Sequence, residues 1–458
     1  SPALKWVQAG ATDQTMAVLR VTASYEDVRL DRIGLQIATS ASSQDIMASN
    51  TPNDIVKASI WNGAKKVGEA VFTSNDYATS TFSTQFGATQ ADYTVPKDQQ
   101  ILLTLKADVG TIGTVLQASP GHLLILGYDA SNGDAEDSIG IKGVGQSSGT
   151  ALYGASGALA SGTDAIPNGS RIAKAIPAVE RIALSSTKFS NVTGQTLYRF
   201  KVSAPAGTNG IGLYKFTFLV STSVSGYLQE FPDSESNIGG VNGAGAGTGD
   251  FMVTNYQLYC YSDSAFSSPS CPNSGATGGL VNGSCVADFS TMASSTGQNN
   301  NDQQVSVWFN PSNPGSSTKE AIYISGGDTK YFVFKGDITG ASSTPSIIVK
   351  MQGDSQYLSM ATPGDGFNVS GSVDTQVDQG VQGDNFTNGQ YVFATTASKA
   401  DIADDATDND SRDNDFIWSD NATNTSQSIN SYDWFNGFLV PGLSNTDVGQ
   451  AETLTLTN

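Results

Sequence analysis

Leu197-Tyr198-Arg199-Phe200-Lys201-Val202 alternates bulky and polar residues with a period of two. That period lines one face of a strand with apolar groups and leaves the other face wet; a helix needs them three and four apart. Ile33-Gly34-Leu35-Gln36-Ile37-Ala38 and Ile101-Leu102-Leu103-Thr104-Leu105-Lys106 repeat the pattern. So do Tyr331-Phe332-Val333-Phe334-Lys335 and Ser346-Ile347-Ile348-Val349-Lys350. Clusters of Gly, Asn, Asp, Ser and Pro separate the runs, and no long capped run of helical period stands out. The reading is an all-β chain built of immunoglobulin-like β-sandwich modules in tandem.

Working outward from these runs, six segments recur in the same order. Pro2–Val7 resembles Pro177–Ile182, and Val18–Ala23 resembles Tyr198–Ala204. Val28–Leu35 then matches Ile211–Phe218, and Ala58–Trp61 matches Tyr256–Tyr259. Leu103–Asp108 answers Phe332–Asp337, and Gly121–Ile125 answers Pro345–Val349. One such match is cheap, but an ordered set implies duplication. It places one module at 1–175 and a related copy with insertions at 176–360. The remainder, 361–458, is expected to be an acidic β-rich segment with no copy in the first module.

Composition narrows the function. The 458 residues include 23 basic and 43 acidic ones, a formal charge of −20. Nucleic-acid binders draw their affinity from Lys and Arg, so this balance excludes that class and argues against docking on anionic lipid. No apolar stretch is long enough for a membrane span. The chain opens at Ser1 without a leader, which is expected of a secreted chain after signal removal.

Catalysis finds little to work with. His122 is the sole histidine and stands at the start of an apolar run, where the repeat copy has Ser346. No nucleophile elbow, phosphate loop or dinucleotide fingerprint is present. No enzyme is expected, and no cofactor is required. The best metal candidate is the acidic stretch Asp401–Asp415, where Asp404, Asp408, Asp410, Asp413 and Asp415 supply close-spaced oxygens of the kind calcium prefers. It lacks the central Gly and final Glu of an EF-hand loop, and a plain solvated acidic loop is the competing reading. A second acidic cluster comprises Asp129, Asp134, Glu136 and Asp137.

Cys260, Cys271 and Cys285 fit no zinc spacing. One local disulfide, Cys271–Cys285, is expected because loop residues separate those two; three reduced thiols are the alternative. Trp418 and Trp434, with Tyr432, Phe435 and Phe438, are either core plugs and subunit contacts or stacking platforms for sugars.

Two terminal segments are candidate assembly strands. Ala451–Asn458 alternates Thr with Leu454 and Leu456, and Pro2–Val7 places Leu4 and Trp6 on one face. Each either pairs within its own chain or completes a neighbour's sheet. If the C-terminal strand is exchanged, deleting Glu452–Asn458 leaves a folded chain that does not polymerise.

Certain longer runs resemble one family. They are Asp27-Val28-Arg29-Leu30-Asp31-Arg32-Ile33-Gly34-Leu35, Ala58–Gly63, Val67–Ala70 and Val95–Asp98, then Tyr198–Val202 and Gly212–Phe216. The tail adds Asp415-Phe416-Ile417-Trp418-Ser419-Asp420 and Asp433–Gly437. Together they resemble the secreted surface proteins of bacteria of the candidate phyla radiation (Patescibacteria). The resemblance implies an extracellular location and β-sandwich repeats, but no site residues. The expected function is a structural subunit of an extracellular polymer: a filament, a pilus-like fibre or a surface layer, with copies of itself as partners. The alternative is a monomeric adhesin or carbohydrate-binding protein that meets a host-cell surface or glycans.

Overall fold

A computed structural model describes residues 2–38, 48–49, 51–113, 118–130, 140–153, 164–222, 252–271, 278–281, 286–289, 302–312, 321–340, 346–354, 415–422, 434–435, 437–443 and 451–456. The chain divides into two units, Ser1–Lys174 and Ala175–Asn458.

The first unit begins with β1 (Trp6–Gln8), β2 (Gln14–Ala23), β3 (Val28–Ile37), β4 (Ala48–Ser49), β5 (Ile55–Asn62), β6 (Lys65–Ala70) and β7 (Tyr77–Thr81). It continues with β8 (Thr94–Val95), β9 (Gln99–Val109), β10 (Leu123–Leu124), β11 (Leu126–Tyr128), β12 (Ile141–Gly145), β13 (Ala151–Tyr153) and β14 (Ser170–Ala173). One antiparallel sheet runs β2-β9-β5-β6. The facing sheet is centred on β3, which takes β11 and β12 along one edge and β7 and β8 along the other. Leu30, Ile33 and Leu35 of β3 share one core with Ile60 of β5 and Leu103 and Leu105 of β9. A small third sheet joins β1 to β14 in parallel and β14 to β10 antiparallel.

The second unit contains β15 (Ala178–Arg181), β16 (Lys188–Phe189), β17 (Val192–Ser203), β18 (Ile211–Thr222), β19 (Met252–Tyr261), β20 (Val286–Phe289) and β21 (Asp302–Trp308). Then come β22 (Ile322–Ile324), β23 (Thr329–Thr339), β24 (Ser346–Met351), β25 (Phe416–Ser419), β26 (Trp434–Phe435) and β27 (Ala451–Leu456). One sheet runs β15-β17-β23-β19; the other is centred on β18. Aromatic side chains fill the space between them. Phe218 stacks on Phe334 at 4.1 Å, and Phe200 meets Phe216 edge-on at 5.2 Å. Offset and edge-on pairs suit the ring quadrupole and add about 0.5–1.5 kcal/mol each beyond burial.

The pairing scheme of the first unit returns in the second. Order β2-β9-β5 becomes β17-β23-β19. Strand β18 takes β24 and β25 on one edge and β21 and β22 on the other, as β3 takes β11, β12, β7 and β8. The bulge between Thr15 and Ala17 of β2 has its counterpart between Thr196 and Tyr198 of β17. Because a one-residue slip would turn every side chain to the wrong face, a shared bulge fixes the correspondence residue by residue. Leu19, Arg20 and Val21 thus occupy the positions of Phe200, Lys201 and Val202.

The duplication corrects two expectations. Strand β1 corresponds to β16, since each pairs in parallel with the last strand of its unit; Pro177–Ile182 holds instead the added strand β15. The C-terminal segment is not a separate region without a copy. Strand β25 stands in for β12, and β27 for β14, both inside the second unit's sheet. β14 and β25 are buried along their whole length, so they carry no alternation for a pattern search to find.

Candidate functional site

Those candidate residues that are described serve separate places in the fold. Asp404, Asp408, Asp410 and Asp413 lie outside the described residues, as do Asp134, Glu136 and Asp137. Asp415 is buried, and its N–H donates to Asp354 Oδ1 at 2.9 Å, a structural role at the start of β25. Among the described residues no group of three His, Cys, Asp or Glu side chains is placed to hold a metal ion.

Asp354, which the sequence reading passed over, is a buried tie. Its Oδ2 accepts the N–H of Phe416 at 3.4 Å and of Gly437 at 2.5 Å. One carboxyl therefore fastens β25 and the following turn to the end of β24. Burial pushes its pKa up to about 7, against the three N–H donors and Lys215, which pull it down.

The disulfide joins Cys260 to Cys271, with Cα atoms 5.9 Å apart, and not Cys271 to Cys285 as the loop argument expected; Cys285 is outside the described residues. Cys260 is at the end of β19, where the chain turns back and Ser270 N–H donates to Cys260 O. The turn brings the two cysteines together, a tertiary fact that spacing does not carry. Residues 279–281 line β19's outer edge, where Cys260 N–H donates to Gly279 O and Val281 N–H to Leu258 O.

His122 Nδ1 is 2.9 Å from Oδ2 of the fully buried Asp54, whose Oδ1 accepts the N–H of Ser119. The pair anchors a turn. Trp418 is fully buried against Phe435, which removes it as a sugar platform; the backbone of Trp434 pairs with Ser419.

Both candidate assembly strands pair at home. Trp6 begins β1 beside β14, and Leu4 packs against Ala38, Leu123 and Ile125. Strand β27 sits between β16 and β24 with Leu454 fully buried, and Leu456 pairs through its backbone with Phe189.

One sheet edge differs sharply between the units. In the second, β15 covers β17: Val179 pairs with Val202, and Glu180 with Lys201. Val179 faces the core and is buried, while Lys201 Nζ meets Glu180 Oε2 at 2.9 Å on the outer face. The outer side of β15 is sealed in turn by Val179 N–H donating to Pro441 O. The chain passes so close there that a Cβ on Gly442, at φ +90°, would lie 1.6 Å from the Val179 carbonyl oxygen. In the first unit β2 ends its sheet, and among the described residues no strand pairs with its outer edge. Phe200 and Val202 are 0% exposed; their counterparts Leu19 and Val21 are only partly buried.

No family model matches the chain, and no curated protein does. Among solved structures, the C-terminal domain of the Streptococcus agalactiae AgI/II polypeptide BspA aligns at 9% identity over 76% of this chain and 90% of its own, with a TM-score of 0.17. The C-terminal domain of the Streptococcus pyogenes antigen I/II-family protein AspA gives 9%, 76%, 90% and 0.16. The S. aureus collagen adhesin gives 9%, 76%, 89% and 0.12. Scores this low carry no argument about this chain, whose fold rests on its own sheets.

Proposed function

We propose that the chain is a structural subunit of an extracellular polymer, a filament or a surface layer, built from serially joined β-sandwiches. The observation that carries this reading is β15. It is the connection between the last strand of one unit and the first parallel strand of the next, and it completes the sheet of the unit it enters. Joining units by a sheet-completing segment makes the link itself part of a folded domain, which suits a load-bearing array. The Cys260–Cys271 disulfide supports an oxidising, extracellular location. Negative-stain microscopy of the purified chain tests the proposal: regular fibres or sheets are expected, and isolated particles at all concentrations would overturn it in favour of a monomeric adhesin.

A further inference from the structure

The geometry points to the outer edge of β2 as an acceptor for an extended peptide strand of the Ala178–Arg181 type. Such a strand enters antiparallel, sets a β-branched apolar residue beside Val21 and places an acid opposite Arg20.

The second unit supplies the template. Strands β17 and β2 carry the same bulge and pair in the same register with corresponding strands, β23 and β9, so the surroundings of β17 predict what the edge of β2 accepts. Val179 closes the core next to Val202, whereas among the described residues no strand lies beside Val21, and that residue and Leu19 are partly exposed. The charge chemistry is repeated too. Lys201, which pairs with Glu180, is matched by Arg20, an exposed cation in a chain that carries few.

Beyond the Thr15–Ala17 bulge, no described residue guards the edge either. Natural edges are blunted by proline, by several charges or by a bulge in mid-strand. From Val18 to Ala23 there is no proline, and Arg20 is the single charge. Val18 is 44% exposed, and the β-branched residues Val18, Val21 and Thr22 favour extended backbone. An edge this long and adhesive is a liability unless something pairs with it.

Register identifies the groups that wait. Ile182 N–H donates to Arg199 O at 2.8 Å, so Arg199, Lys201 and Ser203 turn their backbone groups toward β15. The matching residues on β2 are Val18, Arg20 and Thr22.

The inference rests on the same duplication as the polymer reading but does not require that fibres form. It is tested on the full chain by fusing Pro-Ala-Val-Glu-Arg-Ile ahead of Ser1, at the spacing that separates Arg181 from Lys188. Amide hydrogen exchange is read by NMR. The graft should slow exchange at Val18, Arg20 and Thr22 at least about tenfold, the equivalent of about 1.4 kcal/mol. Arg20→Glu should cancel much of that protection, and exchanging the graft's Glu for Lys should restore it. A charge swap of this kind separates specific pairing from general stickiness. Unchanged exchange at these three amides, with Leu103 and Leu105 still protected, overturns the inference. If the fusion itself misfolds, the same hexapeptide added in trans to the unmodified chain must shift the three amide signals, and failure to do so has the same meaning. Microscopy of the unmodified chain reports separately on fibres, so either reading can fall while the other stands.

Discussion

Replacing both Cys260 and Cys271 by Ser removes the one disulfide among the described residues and tests the turn that follows β19. The bond closes a loop of sequence separation 11. Chain entropy for a loop of that size is about 9 cal/mol/K, or about 2.8 kcal/mol at 25 °C. The cost falls on the second unit, where Cys260 is fully buried beside Phe332 and its N–H donates to Gly279 O. For a unit of this size, that loss lowers its melting temperature by about 5–8 °C. Differential scanning calorimetry with and without a reductant should show the second unit's transition move while the first stays in place. Peptide mapping without reduction should recover Cys260 linked to Cys271 and leave Cys285 open to alkylation. A midpoint unmoved by reduction would refute the energetic argument, and a Cys271–Cys285 peptide would refute the connectivity.

Other predictions concern the strands and one carboxyl. Leu454→Ala should destabilise the second unit by about 2–5 kcal/mol in chemical denaturation, because the side chain is fully buried. Deleting Glu452–Asn458 should therefore unfold that unit rather than yield a folded chain that does not polymerise; a native circular dichroism melt from the truncation would contradict this. Val179→Asp sets a carboxylate at the closed core edge and should free the outward amides of Arg199, Lys201 and Ser203 to exchange, the reverse of grafting a strand onto β2. Asp354 titrates near 7, above its ordinary 3.8, so the fold holds its protonated form more tightly. Its contribution is complete below about pH 4 and fades as pH rises through about 7. The second unit's melting temperature should fall over that window, and Asp354→Asn should flatten the fall; an unchanged slope in the variant would show that another group governs it.

The period-two runs alone specified an all-β chain, because alternation along a strand is a local consequence of burying one face. Leu103 and Phe332, like Ile60 and Leu258, match in residue pattern and hold corresponding sheet positions, since each unit keeps its bulk at the core-facing places. What residue patterns did not carry was everything set by partners distant in the chain. Ser170–Ala173 and Phe416–Ser419 are buried on every side, so nothing in their order of residues says strand or marks them as parts of repeated sheets. The choice of Cys271 as partner of Cys260, the burial of Trp418 and the tie at Asp354 were likewise decided by how the chain turns back on itself. Most telling is the pair Pro2–Val7 and Pro177–Ile182. The two look alike as sequence, yet β1 lies parallel to β14 while β15 lies antiparallel on β17. An extended segment with one apolar face can satisfy any open edge of suitable register, and only the tertiary structure, which pairs one segment in parallel on β14 and the other antiparallel on β17, assigns it.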